Sequence, residues 1–405
     1  MSETILVTNS GSSSIKFQLF AITGEEHLER LMKGQIEGIA ARPRLSAKDT
    51  GGALLIDRSW EAAEVSSVPA ALAKIIEFLR SHIGGSLPVA VGHRVVHGGP
   101  DYSEPILIDK ALVDRLERLC PLAPLHQAHN LAPIRAILER HPEVPQIACF
   151  DTAFHQGHPE VADHYAIPRR LHREGIRRYG FHGLSYEYIA QRLAELAPQI
   201  AGARVVVAHL GSGASMCAIS GGKSLDSTMG FTGLDGLPMG TRAGQIDPGV
   251  LLYLLSEKGM CAQELEHFLY RDCGLKGLSG ISNDVRELLS SEDPDARFAL
   301  DHFVYRIALF TGMLVSAMGG IDAFVFTAGI GENAPAIRET VAQRLQWLGL
   351  ELDAEANAAG EQLISSPRSR VACYVIPTDE ELMIARHTLR VLRDRSSTPL
   401  ERKEA

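Results

Sequence analysis

Short apolar runs rich in β-branched residues alternate with longer segments of helical periodicity along this chain. The short runs predict strands at Ile5–Asn9, Val89–Val91, Gln146–Phe150, Arg204–Leu210, Ala323–Ala328 and Val371–Pro377. The helical patterns are Val68–Ile83, Lys110–Leu119, Leu131–Arg140, Tyr186–Leu196, Asp301–Ala317, Ala336–Leu348 and Glu380–Arg393. Because strands and helices alternate, we expect an α/β protein whose sheets are covered by helices.

Two strands are followed by turns rich in glycine and serine. NSGSSS separates the first strand from a second apolar segment, Ile15–Ile22, which predicts a hairpin. The same arrangement recurs where GSGAS, Gly211–Ser215, separates Arg204–Leu210 from the apolar run Met216–Ile219. The recurrence predicts two related domains, each presenting a hairpin to a shared cleft.

The first hairpin could bind phosphate, although it is not a P-loop. A P-loop reads GxxxxGK[ST] and leads from a strand into a helix, whereas Gly11 and Lys16 lack the second glycine between them. Backbone N–H groups, serine hydroxyls and the charge of Lys16 would still suit a phosphate. An ordinary polar turn is the alternative that the segment alone leaves open.

Composition narrows the class of protein. The 405 residues suit two domains, and 40 basic against 49 acidic residues give a net charge of −9, which argues against a nucleic-acid partner. Six cysteines without a CxxC pair are typical of reduced thiols. The N-terminus lacks the pattern of a signal peptide, and the uncharged stretch Ile307–Ile321 is shorter than the roughly 20 residues of a membrane span. We therefore expect a cytoplasmic protein with no membrane partner.

Nine motifs follow one another through nearly the whole chain. They are NSGSSSIKF (Asn9–Phe17), GHRVVHGG (Gly92–Gly99), CFDTAFH (Cys149–His155), RYGFHGLSY (Arg178–Tyr186), HLGSGAS (His209–Ser215), MGTRAGQIDPG (Met239–Gly249), SNDVRE (Ser282–Glu287), FTAGIGEN (Phe326–Asn333) and PTDEELMIAR (Pro377–Arg386). Together they resemble the acetate kinase (acetokinase) family of the acetate and sugar kinase/Hsp70/actin superfamily. The resemblance implies two actin-like, ribonuclease H-like domains with a cleft between them. The first would be 1–150, with a C-terminal helix of about 381–405 packed back on it, and the second 151–380, which would bind nucleotide and form a homodimer.

The activity that the resemblance implies is reversible, Mg²⁺-dependent transfer of the ATP γ-phosphoryl group to acetate, giving acetyl phosphate and ADP. Mn²⁺ would serve as a substitute metal. Arg94 would hold the substrate carboxylate, while His182 and Arg242 would stabilise the transferring group, because phosphoryl transfer depends on alignment and positive charge. Taken alone, a histidine of this kind is more often structural and an arginine more often a surface charge.

Acidic and amide side chains complete the implied site. Asp151 follows a predicted strand and corresponds to the essential acidic residue of the family. A carboxylic acid substrate is already ionised at pH 7, so we prefer a role for Asp151 in organising Mg²⁺ over one as a general base. Asn9 and Glu380 match the magnesium positions of the family, with the adjacent Glu381 as the alternative to Glu380.

Four segments match nucleotide-binding positions of the family. Two would lie along the phosphates, namely Lys16 and the run His209, Leu210, Gly211, Ser212 and Gly213. Two would flank the adenosine, namely Asp284, Val285 and Arg286, and the run Gly329, Ile330, Gly331, Glu332 and Asn333.

The chain departs from the common family pattern at three positions. Ser212 stands where HLGNGAS has asparagine, Gly233 where GFTPLEG has proline, and Gln245 where TRSGDIDP has an acidic residue. The first departure could weaken a hydrogen bond to phosphate, and the other two put the loop around Arg242 in doubt. None of them removes a predicted catalytic group.

Three other functions remain open on the sequence. Phe324–Ala334 reads as strand, GxGxxA and helix, with Glu351 placed for a ribose hydroxyl, which is typical of a dinucleotide-binding oxidoreductase. A non-enzymatic, actin-like ATP binder would keep the fold without the carboxylate site. A propionate kinase would share nearly all of the motifs.

Overall fold

The computed structural model describes residues 3–11, 13–85, 87–124 and 126–397. The chain divides into two compact units: unit 1 comprises Met1–Ala153 and Asp379–Ala405, and unit 2 comprises Phe154–Thr378. Ser12 of the predicted NSGSSS turn and residues 398–405 of the predicted C-terminal helix lie outside the described residues.

Unit 1 is built on one mixed sheet. Its strands are β1 (Thr4–Ser10), β2 (Ser14–Ile22), β3 (Leu28–Glu37), β4 (Arg44–Asp49), β5 (Leu54–Ser59), β6 (Ala90–Val95), β7 (Ile106–Leu107) and β8 (Gln146–Phe150). Its helices are α1 (Val68–His82), α2 (Lys110–Glu117), α3 (Gln127–Arg140) and α15 (Glu380–Ser397). The strand order is β5-β4-β3-β2-β1-β6-β8-β7, with β6 parallel to both β1 and β8.

Helices cover the sheet of unit 1, as the apolar pattern predicts. The α1 residues Ala71, Leu72, Ile75 and Leu79 recur at helical spacing and pack in one apolar cluster with β1, β2 and β3. The last helix, α15, packs against β1 and β6. Gly92 of β6 permits this close approach, because a Cβ there would lie 2.3 Å from Oγ1 of Thr388.

Unit 2 has a five-stranded sheet and most of the helices. Its strands are β9 (Arg204–Leu210), β10 (Ala214–Ser220), β11 (Lys223–Ser227), β12 (Ala323–Thr327) and β13 (Ala372–Val375). Its helices are α4 (Glu160–Asp163), α5 (Arg169–Arg173), α6 (Gly183–Leu196), α7 (Pro248–Ser256), α8 (Ala262–Arg271), α9 (Gly274–Ser279), α10 (Val285–Ser290), α11 (Pro294–Met318), α12 (Ala328–Asn333), α13 (Pro335–Arg344) and α14 (Ala354–Ala359).

The two units share a strand arrangement. The central part of unit 1 runs β3-β2-β1-β6-β8, and unit 2 runs β11-β10-β9-β12-β13. In each, three antiparallel strands are followed by two strands parallel to the first strand of the hairpin. Both predicted hairpins are confirmed by the pairing of β1 with β2 and of β9 with β10. The predicted α/β class is confirmed as well.

The long helix α11 contains most of the uncharged stretch that the sequence places before a strand. It runs over 25 residues from Pro294 to Met318, and β12 follows it. Among the described residues it is the one helix long and apolar enough to cross a membrane by length and composition. It packs against β9 and β10 of its own unit, and core helices of soluble proteins pass the same test, so this is weak evidence for a membrane span.

Candidate active site

The predicted catalytic, substrate-binding and metal-binding residues form two clusters, one within each unit. In unit 1, Arg94 lies near the end of β6, and Asp151 follows the neighbouring parallel strand β8. The register pairs Arg94 with Cys149, so Asp151 stands two residues further on, on the same face of the sheet. Nε and Nη2 of Arg94 donate to the two carboxylate oxygens of Asp151 at 2.9 and 2.6 Å.

The rest of the Arg94 guanidinium contacts other predicted site residues. Nη1 donates to Oδ1 of Asn9 at 3.4 Å, and Nε lies 3.9 Å from a carboxylate oxygen of Glu380 at the start of α15. The structure therefore brings together Asn9, Arg94, Asp151 and Glu380, which are far apart in the chain. Because Asp151 takes the Nε/Nη2 edge of the guanidinium, the N–H groups of the Nη1/Nη2 edge could bind a further anionic group.

Burial and charge act against each other in this cluster. Burial raises the pKa of Glu380 to about 7; the charge of Arg94 acts to lower it, and those of Asp151 and Glu381 add to the rise. Burial alone would lower the pKa of Arg94, but the carboxylates of Asp151 and Glu380 raise it above its ordinary value. The cluster therefore holds more acidic groups than one guanidinium neutralises.

The first hairpin places Lys16 beside this cluster. Lys16 and Asn9 are directly opposite each other on β2 and β1, so their side chains share one face of the sheet. The side chain of Lys16 is exposed, and its charge lowers the pKa of Glu380. Glu381 and Lys16 both line a cavity of about 290 Å³ over β2, β3 and β4.

Two histidines beside Arg94 have structural partners. Nδ1 and Nε2 of His93 are hydrogen-bonded to Thr8 and Gln146, each at 2.8 Å, and burial lowers its pKa to about 4. His97 accepts a hydrogen bond from the N–H of Gly99, and burial lowers its pKa to about 4 as well. Neutral, fixed imidazoles of this kind shape the loop after β6.

His155 and His158 also form a structural pair. Both are hydrogen-bonded to Oγ of Ser224, at 2.8 and 2.7 Å, and His158 contacts Asp163. In the part of the chain that the structure describes, no group of three or more His, Cys, Asp or Glu side chains is arranged to hold a metal.

In unit 2, His182 lies immediately before α6 in a left-handed backbone conformation, with φ 59°. Non-glycine residues adopt this conformation rarely, so packing must hold it there. The His182 ring stacks on the ring of His209 from β9, with 4.2 Å between centroids and 18° between planes. The loop before α6 and the end of β9 are thereby joined.

Arg242 lies in the loop between β11 and α7, and its side chain reaches the turn after β9, close to His182. Nη1 donates to the carbonyl of Gly233 at 2.7 Å, and burial lowers the pKa of Arg242. A Cβ on Gly213 would lie 2.8 Å from Nη2 of Arg242 and 3.3 Å from Nε2 of His182. His182, Arg242 and the turn after β9 are therefore neighbours, and two glycines make room for the guanidinium.

The two segments that the sequence predicts to flank the adenosine have different surroundings. Asp284 caps α10 and forms an ion pair with the exposed Arg286, which lowers the pKa of Asp284 to about 2. The run Gly329–Asn333 lies within the short helix α12 after β12. At its end, β12 pairs with β9 through Thr327 and His209, so α12 starts close to the turn Gly211–Gly213.

Sequence reasoning missed Arg338, which supports α12. Only 1% of Arg338 is exposed, and its Nη1 donates to the carbonyls of Gly331 and Glu332 at 3.0 and 2.9 Å. Nε and Nη2 donate to the side chain and the carbonyl of Asn357. A buried arginine cannot be recognised from sequence, because the residue type is usually exposed.

The structure shows the surroundings of two departures from the family pattern, Gln245 and Ser212, and of Glu351. The side-chain oxygen of Gln245 accepts a hydrogen bond from Arg306 of α11, a contact that an acidic residue would also make. Ser212 is exposed at the tip of the turn after β9. Glu351, the residue that a dinucleotide site would need, instead forms an ion pair with Arg368 at 2.6 Å.

Comparisons with known proteins cover nearly the whole chain. The model of the acetokinase family matches residues 4–386. Acetate kinase of Nitrobacter hamburgensis is 61% identical over 396 residues, 98% of both chains, and that of Rhizobium meliloti is 57% identical over 390 residues, 96% of this chain and 98% of the other. The crystal structure of Porphyromonas gingivalis acetate kinase is similar, with a TM-score of 0.86 and 35% identity over 96% of this chain and 100% of the other. The crystal structure of a propionate kinase from Francisella tularensis is also similar, with a TM-score of 0.89 and 38% identity over 96% of this chain and 99% of the other.

Proposed function

This chain belongs to the acetokinase family, and from that membership we propose that it catalyses the reversible transfer of the ATP γ-phosphoryl group to acetate, giving acetyl phosphate and ADP. It is a phosphotransferase with a carboxyl group as acceptor. The observation that carries the proposal is 61% identity to an acetate kinase over 98% of both chains. The two-domain, actin-like fold of such kinases accords with two units that share a strand arrangement.

In unit 1, we assign the carboxylate substrate to Arg94. Its Nη1/Nη2 edge offers two parallel N–H groups, which match the geometry of a carboxylate. Asp151 holds the other edge and so fixes the plane of the guanidinium. A substrate held in one plane loses less orientational freedom at the step of transfer, which favours reaction.

In unit 2, we assign the nucleotide phosphates to the turn Gly211–Gly213 and the transferring group to His182 and Arg242. Phosphoryl transfer spreads negative charge over the equatorial oxygens, and a half-buried guanidinium and an imidazole N–H are suitable donors to them. The segments Asp284–Arg286 and Gly329–Asn333 would flank the adenosine. Lys16 on the first hairpin is a further cationic side chain suited to a phosphate group.

Mg²⁺ fits the oxygen groups of unit 1, and Mn²⁺ would fit the same groups. Asn9, Asp151 and Glu380 supply an amide oxygen and two carboxylates, and Mg²⁺ is commonly held by one or two carboxylates together with substrate phosphates. A carboxyl whose pKa is raised to about 7 gains from a nearby cation. When bound, the ion would neutralise charge on the nucleotide phosphates.

A proton and a cation should compete for Glu380. Because its pKa is about 7, the protonated fraction grows below that pH, so apparent Mg²⁺ affinity should fall as the pH decreases through about 7. The measurement is the Mg²⁺ concentration that gives half-maximal rate, across about pH 6 to 8. The Glu380→Gln variant should lose this dependence and Glu381→Gln should keep it; the reverse would assign the site to Glu381.

The activity is tested by trapping acyl phosphate with hydroxylamine. ATP, Mg²⁺ and acetate should give acetyl hydroxamate, and omission of acetate or addition of chelator should abolish it. ATP binding without product from any short acid would instead favour an actin-like binder. A rise in Tm with NAD and not with ATP would favour an oxidoreductase.

Propionate kinase is the second candidate, because a propionate kinase of known structure is 38% identical and has a TM-score of 0.89. One methylene group in an apolar pocket is worth about 1–3 kcal/mol, so kcat/KM for acetate and propionate should differ by about 10- to 200-fold at most. The same trapping assay with a series of short acids decides which acid is preferred.

We also propose a homodimer formed through unit 2. The helix α7 has no buried residue among those described, although most of its side chains are large and apolar. Its residues Leu252 and Tyr253 are 66% and 52% exposed, and Phe298 and Leu309 of α11 are also exposed. Apolar surface of this extent is typical of an interface between subunits.

We place the protein in the cytoplasm. The chain has six cysteines without a CxxC pair, and Cys149, Cys217 and Cys373 are buried. Scattered, buried cysteines of this kind suit a reducing compartment.

A further inference from the structure

Two hydroxyl groups extend one after the other from Nδ1 of His182, on the side of the ring away from Nε2. Nδ1 of His182 is hydrogen-bonded to Oγ of Ser215 at 2.8 Å, and the same oxygen is hydrogen-bonded to Oη of Tyr186 at 2.5 Å. Ser215 and Tyr186 are both fully buried. Ser215 is the second residue of β10, just after the turn Gly211–Gly213, and Tyr186 is in the first turn of α6. A strand and a helix therefore fix the positions of the two hydroxyl groups.

The other nitrogen of the His182 ring, Nε2, faces the proposed site of phosphoryl transfer. A Cβ on Gly213 would lie 3.3 Å from Nε2 of His182, so this nitrogen points toward the turn Gly211–Gly213. A neutral imidazole carries one proton, on either Nδ1 or Nε2. With the proton on Nδ1, the lone pair of Nε2 would face an anionic phosphoryl group and repel it. With the proton on Nε2, the ring can donate a hydrogen bond to that group.

We propose that Tyr186 and Ser215 are positioning residues that fix the proton of His182 on Nε2. In this hydrogen-bond relay, the Tyr186 hydroxyl donates to Ser215 and the Ser215 hydroxyl donates to Nδ1 of His182. The ring proton is therefore on Nε2. The inference rests on the proposed place of His182 at the transferring phosphoryl group. It goes beyond that proposal because it assigns a task to two residues that touch neither substrate.

Two other side chains lie beside the His182 ring. Arg242 reaches the same side of Gly213 as Nε2 of His182. The ring of His209 stacks on the His182 ring. His209 has a similar arrangement, since its Nδ1 is hydrogen-bonded to Ser185, whose hydroxyl contacts Thr378.

The protonated nitrogen can be observed directly by NMR of the full chain labelled with ¹⁵N-histidine. The His182 signals are those that disappear in His182→Gln. We expect the neutral Nε2–H form in the wild-type protein and a mixture of both neutral forms in Ser215→Ala. A proton on Nδ1 in the wild type, or the same form in Ser215→Ala, would overturn the relay.

Kinetics provide a second readout. Tyr186→Phe keeps the buried ring and removes the donor, so kcat should fall on the order of 10- to 100-fold, as when a partner that orients a ligating histidine is lost. KM for ATP and acetate should change little, because no substrate contact is removed. Tyr188→Phe, on the same helix, is the matched control and should keep the wild-type kcat. Equal kcat in Tyr186→Phe and wild type would contradict the relay.

The two readouts separate this inference from the proposed function. If the wild-type protein makes no acyl phosphate, the proposed function fails, while the NMR measurement on the wild type still decides which nitrogen is protonated.

Discussion

Replacing Arg242 by alanine should lower kcat by about 10²- to 10³-fold, equivalent to roughly 3–4 kcal/mol of transition-state stabilisation. Its guanidinium is half-buried, anchored on the carbonyl of Gly233 and adjacent to Gly213 and His182. A positive group held in this way interacts most strongly with charge that develops during transfer, so KM for both substrates should change much less than kcat. Steady-state kinetics of the purified variant give this comparison.

Two further variants test the geometry behind that expectation. A Cβ on Gly233 would lie 2.8 Å from Nη1 of Arg242, so Gly233→Ala should displace the guanidinium and lower kcat without removing its charge. Arg192→Ala removes an exposed arginine that pairs with Glu195 on α6 and should leave kcat unchanged. Near-normal kcat in Arg242→Ala would reject the role assigned to Arg242.

Replacing Arg94 by alanine should raise KM for acetate by far more than KM for ATP. The variant loses the Nη1/Nη2 edge assigned to the substrate carboxylate and leaves Asp151 and Glu380 without their positive partner. Loss of a hydrogen bond to a charged group costs about 1.5–3 kcal/mol, or roughly 10- to 150-fold in KM for acetate. Initial rates with each substrate varied in turn measure the two constants.

The Arg94 variant needs a control for stability, because removing one partner of a buried ion pair costs about 3–5 kcal/mol. Thermal unfolding of each variant shows whether unit 1 remains folded. Arg44→Ala breaks a similar two-bond pair with Asp57 at the surface of the same unit and should leave both KM values unchanged. A larger rise in KM for ATP than for acetate would move Arg94 to the nucleotide site.

The strands β1, β8 and β9 were predictable because they are mostly apolar and are buried on both faces. β8 and β9 have the predicted bounds, β1 extends one residue beyond the prediction at each end, and β2 extends one residue beyond it at its start. Such strands produce continuous apolar runs, which are visible in a short window. The region from β3 to β5 was missed, since the polar face of these strands is exposed and their alternation is interrupted by register shifts.

The helices that follow β12 were predicted less completely. The predicted helix Ala336–Leu348 is confirmed by α13, but no helix was predicted for GIGEN, Gly329–Asn333, which lies in the short helix α12. Two glycines make that segment a poor helix by propensity. Hydrogen bonds from the buried Arg338 to the carbonyls of Gly331 and Glu332 help to stabilise it, and they come from outside the segment.

Sequence alone determined the α/β class, the two glycine and serine hairpins and, through nine motifs in order, the family. These are properties of local pattern, and the pattern of side chains within a few residues is sufficient for them. Only the tertiary structure decided that Arg94 meets Asp151 across 57 residues, that Arg242 lies against Gly213 and Gly233, and which nitrogen of His182 faces the turn. Those contacts depend on strand register and on the packing of loops against one another, which join residues that no short window contains.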